Sequence, residues 1–184
     1  IGFENIDASA AQVSVTIKGA SEGSTLIGGD LGDSIVGGAR NDSLEGGLDN
    51  DTLTGGGGVD IVRGGDGNDQ ITASGMLYGD KGADTITLAG ASTVWGGDNN
   101  DSITQTNGGS ADSISQVIYG DDGNDIISLT ADVVTVDGGS GNDSISIDGG
   151  DTLSIIGGIG ADTIRVDGLK DYIGGGNDND LIVL

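Results

Sequence analysis

The chain has 184 residues, with 30 acidic and six basic side chains, a formal charge of -24, 39 glycines and no Pro, Cys or His. The missing Cys and His exclude a disulfide framework, a Cys/His zinc site and any triad that needs His. The charge argues against nucleic-acid partners and anionic membranes, and no apolar run approaches the roughly 18 residues of a membrane span. Because such a composition otherwise resembles a disordered chain, a packed fold requires repeating geometry, bound counter-ions or both.

Residues 1–18 precede any clear repeat. The alternation of Val13, Val15 and Ile17 predicts a strand, and we expect this segment to form an N-terminal coil without metal. The next nine residues, GASEGSTLI from Gly19, read as a degenerate repeat with Ser24 at the place that Asp takes later. We therefore predict one repeat domain over residues 19–184, and we expect it to be part of a longer protein.

Five consecutive nonapeptides begin at Gly28: GGDLGDSIV, GGARNDSLE, GGLDNDTLT, GGGGVDIVR and GGDGNDQIT. Further copies follow at wider spacing, and each copy has an Asp at its sixth place. These residues are Asp33, Asp42, Asp51, Asp60, Asp69, Asp84, Asp101, Asp112, Asp125, Asp143, Asp162 and Asp180. A fixed period of this kind indicates a repeat architecture and not an ordinary globular domain.

The in-register pattern G-G-x-G-x-D-x-U-x, where U is a large aliphatic residue, resembles the RTX calcium-binding β-roll family over about Gly19 to Leu184. The resemblance implies an all-β, right-handed parallel β-roll, or β-solenoid, with six-residue turns, three-residue strands and about 18 residues per coil. It also implies Ca²⁺ between turns stacked on the same side. In this family the chain leaves a Gram-negative cell unfolded by type I secretion and folds outside.

On an 18-residue coil the Asp residues fall into two columns of unequal length. Side A contains Asp33, Asp51, Asp69, Asp84, Asp101, Asp125, Asp143, Asp162 and Asp180. Side B contains only Asp42, Asp60 and, after a gap, Asp112. The sequence therefore predicts calcium mainly on one side of the roll.

Asp and Gly at these places suit calcium, which takes six to eight oxygen ligands. Asp supplies a charged oxygen on a short stem, and Gly permits the positive φ that points carbonyls at an ion. Nine side-A turns leave eight gaps, and Asp42 with Asp60 adds one, so we expect about nine Ca²⁺ ions. The alternative, in which Asp only forms turns, leaves carboxylates about 5 Å apart without neutralisation.

Two columns of aliphatic residues predict the core, with neighbouring coils about 4.8 Å apart. Two residues after each side-A Asp stand Ile35, Leu53, Ile71, Ile86, Ile103, Ile127, Ile145, Ile164 and Ile182. Two residues before each side-A turn stand Leu26, Leu44, Val62, Leu77, Val94, Ile118, Val136, Ile155 and Ile173. The alternation extends to Leu88, Leu129, Ile147, Val166 and Leu184.

Tyr78, Trp95 and Tyr119 fall in one outward column in adjacent coils. This aromatic ladder predicts a contact surface for a sugar or a partner chain, or only cross-strand packing. Outward rows rich in Thr and Ser also admit ice binding as a minor alternative, although Gln70, Ile126 and Arg165 interrupt them. Thr is also simply a good residue for an exposed strand.

No arrangement of residues indicates a catalytic site, so we expect no enzymatic activity from this segment. The leading hypothesis is a calcium-folded structural module of a secreted surface protein, of S-layer or adhesin type, outside a Gram-negative cell. Its expected partners are calcium and, through self-association or contact, copies of itself or other cell-surface components. The alternative is the export and folding module of a secreted enzyme or toxin.

Overall fold

A computed structural model describes residues 4–105, 115–130, 133–149, 152–167 and 171–184. Its strands are β1 (Asn5–Asp7), β2 (Thr16–Lys18), β3 (Thr25–Ile27), β4 (Ser34–Gly38), β5 (Ser43–Leu48), β6 (Thr52–Gly56), β7 (Asp60–Asp66), β8 (Gln70–Lys81), β9 (Thr85–Asp98), β10 (Ser102–Gln105), β11 (Ser115–Asp122), β12 (Ile126–Leu129), β13 (Val133–Ser140), β14 (Ser144–Asp148), β15 (Thr152–Ile159), β16 (Thr163–Asp167), β17 (Asp171–Asn177) and β18 (Leu181–Val183). Within these residues there is no helix with the length and apolarity to cross a membrane.

The strands form two parallel stacks that run the length of the molecule. Face 1 follows the side-A turns and contains β2, β4, β6, the first halves of β8 and β9, then β10, β12, β14, β16 and β18. Face 2 precedes those turns and contains β1, β3, β5, β7, the second halves of β8 and β9, then β11, β13, β15 and β17. The predicted all-β, parallel solenoid is confirmed.

The register keeps the coils stacked although their lengths differ. Ser34 pairs with Thr52, Gln70 with Thr85, and Ser102 with Ile126. The corresponding side-A Asp residues are joined across 18, 15 and 24 residues. Insertions and deletions are therefore absorbed outside the side-A turns. Residues 5–18 supply β1 and β2 of the same stacks, and the division of the chain at residue 18 stays a prediction.

The predicted aliphatic columns form the core between the two faces. Both columns are buried along nearly their whole length, with exposures of 0–1% at Leu26, Ile35, Leu44, Leu53, Val62, Ile71, Leu77, Ile86, Val94, Ile103, Ile118, Ile127, Val136, Ile145, Ile155 and Ile164. Leu88, Leu129, Ile147 and Val166 are also buried. Ile173 is half-buried and packs against this cluster.

The prediction of burial is wrong at the last coil. Ile182 is 40% exposed and Leu184 is 86% exposed. The reason is that β18 pairs with β16 on one side and no described strand covers its other side. Burial in a solenoid depends on the neighbouring coil as much as on the residue's own alternation.

The neighbours Ile126 and Ile127 offer a matched test of the core. Ile127 is fully buried, whereas Ile126 is 55% exposed on the outer surface of the same strand. At saturating calcium, Ile127→Ala should lower the free energy of unfolding by about 2–5 kcal/mol because it opens a cavity. Ile126→Ala should cost less than about 1 kcal/mol, since it loses only strand preference. Denaturant unfolding followed by circular dichroism measures both, and equal losses would contradict this register.

Candidate metal centre

The side-A Asp residues form a continuous hydrogen-bond ladder. The backbone N–H of each one donates to Oδ1 of the Asp in the next coil, for example from Asp33 to Asp51 at 2.7 Å and from Asp101 to Asp125 at 2.8 Å. The ladder begins with Val15, which donates to Asp33, and it reaches Asp180 at 3.0 Å. The structure thus brings all nine predicted side-A residues into one column, with the coil spacing that the sequence indicated.

The second carboxylate oxygen of most of these residues has no partner. Oδ2 is buried without a hydrogen bond in Asp42, Asp51, Asp60, Asp69, Asp84, Asp101, Asp125, Asp143 and Asp162. Asp33 differs, because its Oδ2 accepts the N–H of Gly29 at 2.7 Å. Buried charged oxygens without partners are costly, and in proteins they are usually compensated by a cation or by protonation.

The first glycine of each turn faces two oxygens from different coils. A Cβ placed on Gly46 would collide with Oδ2 of Asp51 and would lie 2.5 Å from the carbonyl oxygen of Gly64 in the next coil. The same pairing of a carboxylate with a carbonyl occurs at Gly28, Gly46, Gly64, Gly79, Gly96, Gly120, Gly138 and Gly157 on side A and at Gly37 on side B. Oxygen donors of this kind are the ligands that Ca²⁺ prefers.

Successive ladder residues such as Asp51 and Asp69 place a side-chain carboxylate on each side of such a gap. Among the described residues, no group of three acidic side chains gathers to form a metal cluster. Backbone carbonyls would therefore supply much of the coordination, which requires turns of unusual conformation. At the fourth turn position φ is positive even where Gly is absent, at Asp49 (66°), Asn99 (79°) and Asp178 (76°). Asp and Asn are the residues that tolerate this region best after Gly.

Side B begins like side A and then changes chemistry. The N–H of Ser24 donates to Asp42 at 2.6 Å, and the N–H of Asp42 donates to Asp60 at 3.0 Å. In later coils the same column position belongs to Gly75, Ser92, Gln116, Val134 and Leu153. Asp112 lies outside the described residues, and in its coil Gln116 takes the side-B position.

Ser92 and Gln116 are site residues that the sequence interpretation missed. The hydroxyl of Ser92 accepts the N–H of Gly75 at 3.3 Å, and Oε1 of Gln116 accepts the N–H of Ser92 at 3.0 Å. These neutral groups continue the ladder without a carboxylate. No sequence motif marks these two residues. The only signal in the sequence is that neither has the Gly-Gly pair that stands five and four residues before most of the repeat Asp residues.

A second ladder of Asn residues runs along the outside of the turns. Oδ1 of Asn50 accepts the N–H of Asn68 at 2.7 Å, and Oδ1 of Asn124 accepts the N–H of Asn142 at 2.6 Å. The bonds run in the opposite sense to the Asp ladder, since each Asn accepts from the following coil. The sequence indicated only that Asn tolerates the turn conformation, so this structural role is an addition.

Burial raises the pKa of seven side-A carboxyls, from Asp51 to Asp162, above the ordinary Asp value of 3.8. The pKa rises to about 7 at Asp51 and Asp84, to about 8 at Asp101 and to about 6 at Asp143. Neighbouring carboxylates in the column add to this effect, while the ladder hydrogen bond opposes it. Without a cation, these buried carboxyls therefore bind a proton at higher pH in the folded chain than an exposed Asp does.

The three predicted aromatic residues stack in adjacent coils on face 2. The ring centroids of Tyr78 and Trp95 are 4.6 Å apart with planes 4° from parallel, and those of Trp95 and Tyr119 are 5.8 Å apart. The guanidinium of Arg63 lies 4.0 Å from the centroid of the Tyr78 ring. Cross-strand packing of the ladder is thus observed, and its role as a contact surface stays a prediction.

The repeats match a known family along more than half of the chain. A family model described as the RTX calcium-binding nonapeptide repeat matches four segments, residues 27–62, 54–75, 78–104 and 119–153. No curated protein matches the chain. The matched segments contain the side-A column from Asp33 to Asp143 and both side-B residues Asp42 and Asp60. The chain therefore belongs to the RTX calcium-binding nonapeptide repeat family, and it is a calcium-binding module of the RTX type.

Proposed function

We propose that this chain is a structural module that folds on binding calcium outside the cell, within a secreted bacterial surface protein of S-layer or adhesin type. One observation carries the calcium-dependent part of the proposal. Nine Asp residues keep a buried Oδ2 with no protein partner in the described chain, and most of them stand next to a carbonyl from the following coil. Ca²⁺ in these gaps would neutralise the carboxylates and tie successive turns together.

Charge and composition make folding depend on that neutralisation. The formal charge is -24 and 39 residues are Gly, so the metal-free chain faces strong self-repulsion and a large entropy cost. A ligand that binds only the folded state shifts the folding equilibrium toward it. Weak calcium modules work near 10⁻⁴–10⁻³ M, a level reached outside cells. Export of an unfolded chain followed by folding outside is consistent with this coupling.

The assignment to a surface protein, and not to the export module of an enzyme or toxin, is the finer part of the proposal. Ordered rows of Ser and Thr cover the outer surface of face 1, as in Ser34, Thr52 and, further along, Ser144 and Thr163. Such rows, interrupted at Gln70 and Ile126, supply a long and mainly polar surface. The proposal assigns no catalytic role to this chain, and it places any chemistry of the parent protein elsewhere.

A calcium titration tests both parts. In chelator, far-UV circular dichroism should show a largely disordered chain at neutral pH. Addition of calcium should produce a cooperative transition to β structure at about millimolar free ion. Growth of light scattering after that transition is the result expected for a self-assembling surface module. A lasting monomer would contradict the surface-protein assignment and favour the export module, and a chelator-insensitive β spectrum would contradict calcium-driven folding.

Removal of one carboxylate should weaken calcium binding at one gap. Asp101→Asn keeps an oxygen that can accept the N–H of Asp84 but replaces the unpaired Oδ2 with an amide. We expect at least one fewer bound ion and a calcium midpoint raised at least about twofold, since the lost binding energy is folding energy. Equilibrium dialysis and circular dichroism measure the two quantities.

Asp148→Asn is the matched control, because it removes the same charge from an exposed strand end. Its ion count and calcium midpoint should stay at the values of the unsubstituted chain. The metal assignment of Asp101 would be contradicted by an equal effect of both substitutions, which would indicate a response to net charge alone.

The raised pKa values predict opposite effects of pH on the metal-free and calcium-loaded chain. In the fold the pKa is about 6 at Asp69 and Asp143, and about 7 at Asp51 and Asp125, against 3.8 ordinarily. The folded state therefore binds more protons than the unfolded state between about pH 4 and pH 7. By linkage, the metal-free fold is stabilised at low pH and loses that stability as pH rises through this window.

Calcium requires the deprotonated carboxylates, so its binding weakens as pH falls. We expect the calcium midpoint to rise about tenfold or more between pH 8 and pH 5.5, while the β signal in chelator increases. Circular dichroism at low protein concentration measures both, with light scattering as a check on aggregation near the isoelectric point of about 4.1. A calcium midpoint independent of pH would show that these carboxylates do not bind the ion.

A further inference from the structure

A groove of about 540 Å³ lies beside the aromatic ladder, between the rings and the side-A turns. Its aromatic wall is formed by Tyr78 and Trp95. Its charged lining residues are four carboxylates and one ammonium group: Asp66, Asp80, Asp98, Asp121 and Lys81. The groove therefore combines an apolar wall with a concentration of negative charge, and it lies outside the gaps between the ladder carboxylates.

The geometry of the rings restricts what the groove can recognise. Trp95 stacks between Tyr78 and Tyr119, so both faces of the indole are covered by protein. A sugar that stacks on a protein needs an open aromatic face, and the two Tyr rings cover both faces of the Trp95 indole. The stack thus disfavours a carbohydrate platform and leaves the carboxylates as the principal recognition groups.

Two cations of the chain itself show which chemistry fits here. The guanidinium of Arg63 lies 4.0 Å from the Tyr78 ring centroid, and its Nη1 lies 3.9 Å from Oδ1 of Asp80. The ammonium of Lys81 lies 2.9 Å from Oδ1 of Asp66. Both side chains have a long alkyl stem and a cationic tip, and such side chains pack the stem on apolar surface while the tip meets a charge.

The pattern continues in the next coils with fewer ion pairs. Lys81 is the register neighbour of Asp98, but its ammonium pairs with Asp66. Among the described residues, no Lys or Arg nitrogen lies within 4.0 Å of a carboxylate oxygen of Asp98 or Asp121. The combination Tyr-Gly-Asp occurs twice, at Tyr78 to Asp80 and at Tyr119 to Asp121. In the first copy Arg63 contacts both the ring and the carboxylate, and in the second copy no described Lys or Arg does so.

The backbone conformation at Asp80 and Asp121 supports a functional role for these two carboxylates. Asp80 and Asp121 occupy the second turn position with φ of 74° and 72°. The other seven side-A turns have Gly there. A non-Gly residue in this region carries a strain that Gly avoids, and such strain is commonly kept where the side chain has a function. Here both carboxylates face the aromatic groove.

We propose that this groove binds Arg or Lys side chains of a basic polypeptide partner. Asp98 and Asp121 pair with the cationic tips, and the aromatic wall of Tyr78 and Trp95 packs against the stems. Charge complementarity selects this partner, because four carboxylates line the groove and Lys81 is the one basic residue among its described lining residues. A second copy of the chain is a poor source of the ligand, since it offers six basic residues against 30 acidic ones.

The single Trp of the chain is Trp95, which makes the groove visible by fluorescence. The probe is the capped peptide Gly-Arg-Gly-Arg-Gly, titrated into the calcium-saturated chain in 0.15 M salt to limit non-specific attraction. We expect a saturable change in Trp95 emission. The same peptide with citrulline for Arg has the shape but no charge, and it should bind at least about fivefold more weakly.

Two pairs of Asn substitutions distinguish peptide binding in the groove from attraction by the overall charge of the chain. Asp98→Asn with Asp121→Asn should weaken binding of the Arg peptide at least about fivefold. Asp148→Asn with Asp167→Asn removes the same charge from an exposed register pair on face 1 and should change it less than about twofold. Tyr78→Leu, which changes no charge and alters the aromatic wall, should also weaken binding. The calcium-dependent circular dichroism of each variant shows separately that it folds, so loss of peptide binding is distinct from failure of the calcium module.

The proposal is overturned by any of three results. One is the absence of a saturable response to the Arg peptide, and another is equal binding of the citrulline peptide. The third is equal weakening by the two pairs of Asn substitutions, which would reduce the attraction to net charge. A response to a neutral oligosaccharide such as cellotetraose, without one to the Arg peptide, would likewise overturn it and assign the groove to sugars.

Discussion

The structure depends on keeping a column of buried carboxylates in register. Each side-A Asp uses Oδ1 to bind the preceding coil and presents Oδ2 to its own turn, as Asp51 and Asp125 show. The first glycine of each turn is required because a Cβ there would collide with that carboxylate. The aliphatic core follows from the same placement, since the residue two positions after each side-A Asp is the first inward-facing aliphatic residue of the next strand. Fold and metal chemistry are therefore consequences of one repeated geometry.

The sequence was sufficient for the parts that repeat and insufficient for the parts that do not. The side-A register was predictable even across the step from Asp101 to Asp125, because the aliphatic alternation and the Asp spacing agree there. The exposure of Ile182 was not predictable from its alternation, because a strand is buried only where a neighbouring coil covers it. Gln116 was missed since a single amide that replaces a carboxylate leaves no motif. Deviations from a repeat have to be read from the folded chain.

The turns on the two sides of the solenoid carry different side chains at the same position. Side A holds carboxylates from end to end, whereas side B passes from Asp60 through Ser92 and Gln116 to the apolar Val134 and Leu153. Neutral and apolar groups need no counter-ion, so these later coils are held on side B by neutral hydrogen bonds, as at Ser92 and Gln116, and by packing, as at Val134 and Leu153. The carboxylates that suit calcium are thus concentrated along one edge of the molecule.

The Asp ladder also gives the solenoid a direction. Every bond in it runs from a backbone N–H to the carboxylate of the following coil, from Val15 to Asp33 and onward to Asp180. Within this ladder each backbone N–H points toward the following coil and each Oδ1 toward the preceding one, so the two directions along the solenoid are chemically unlike. Any assembly that continues the ladder must join unlike ends, and such heterologous contacts produce polar filaments and not closed pairs. A rod of this kind, once extended, would have a distinguishable front and back.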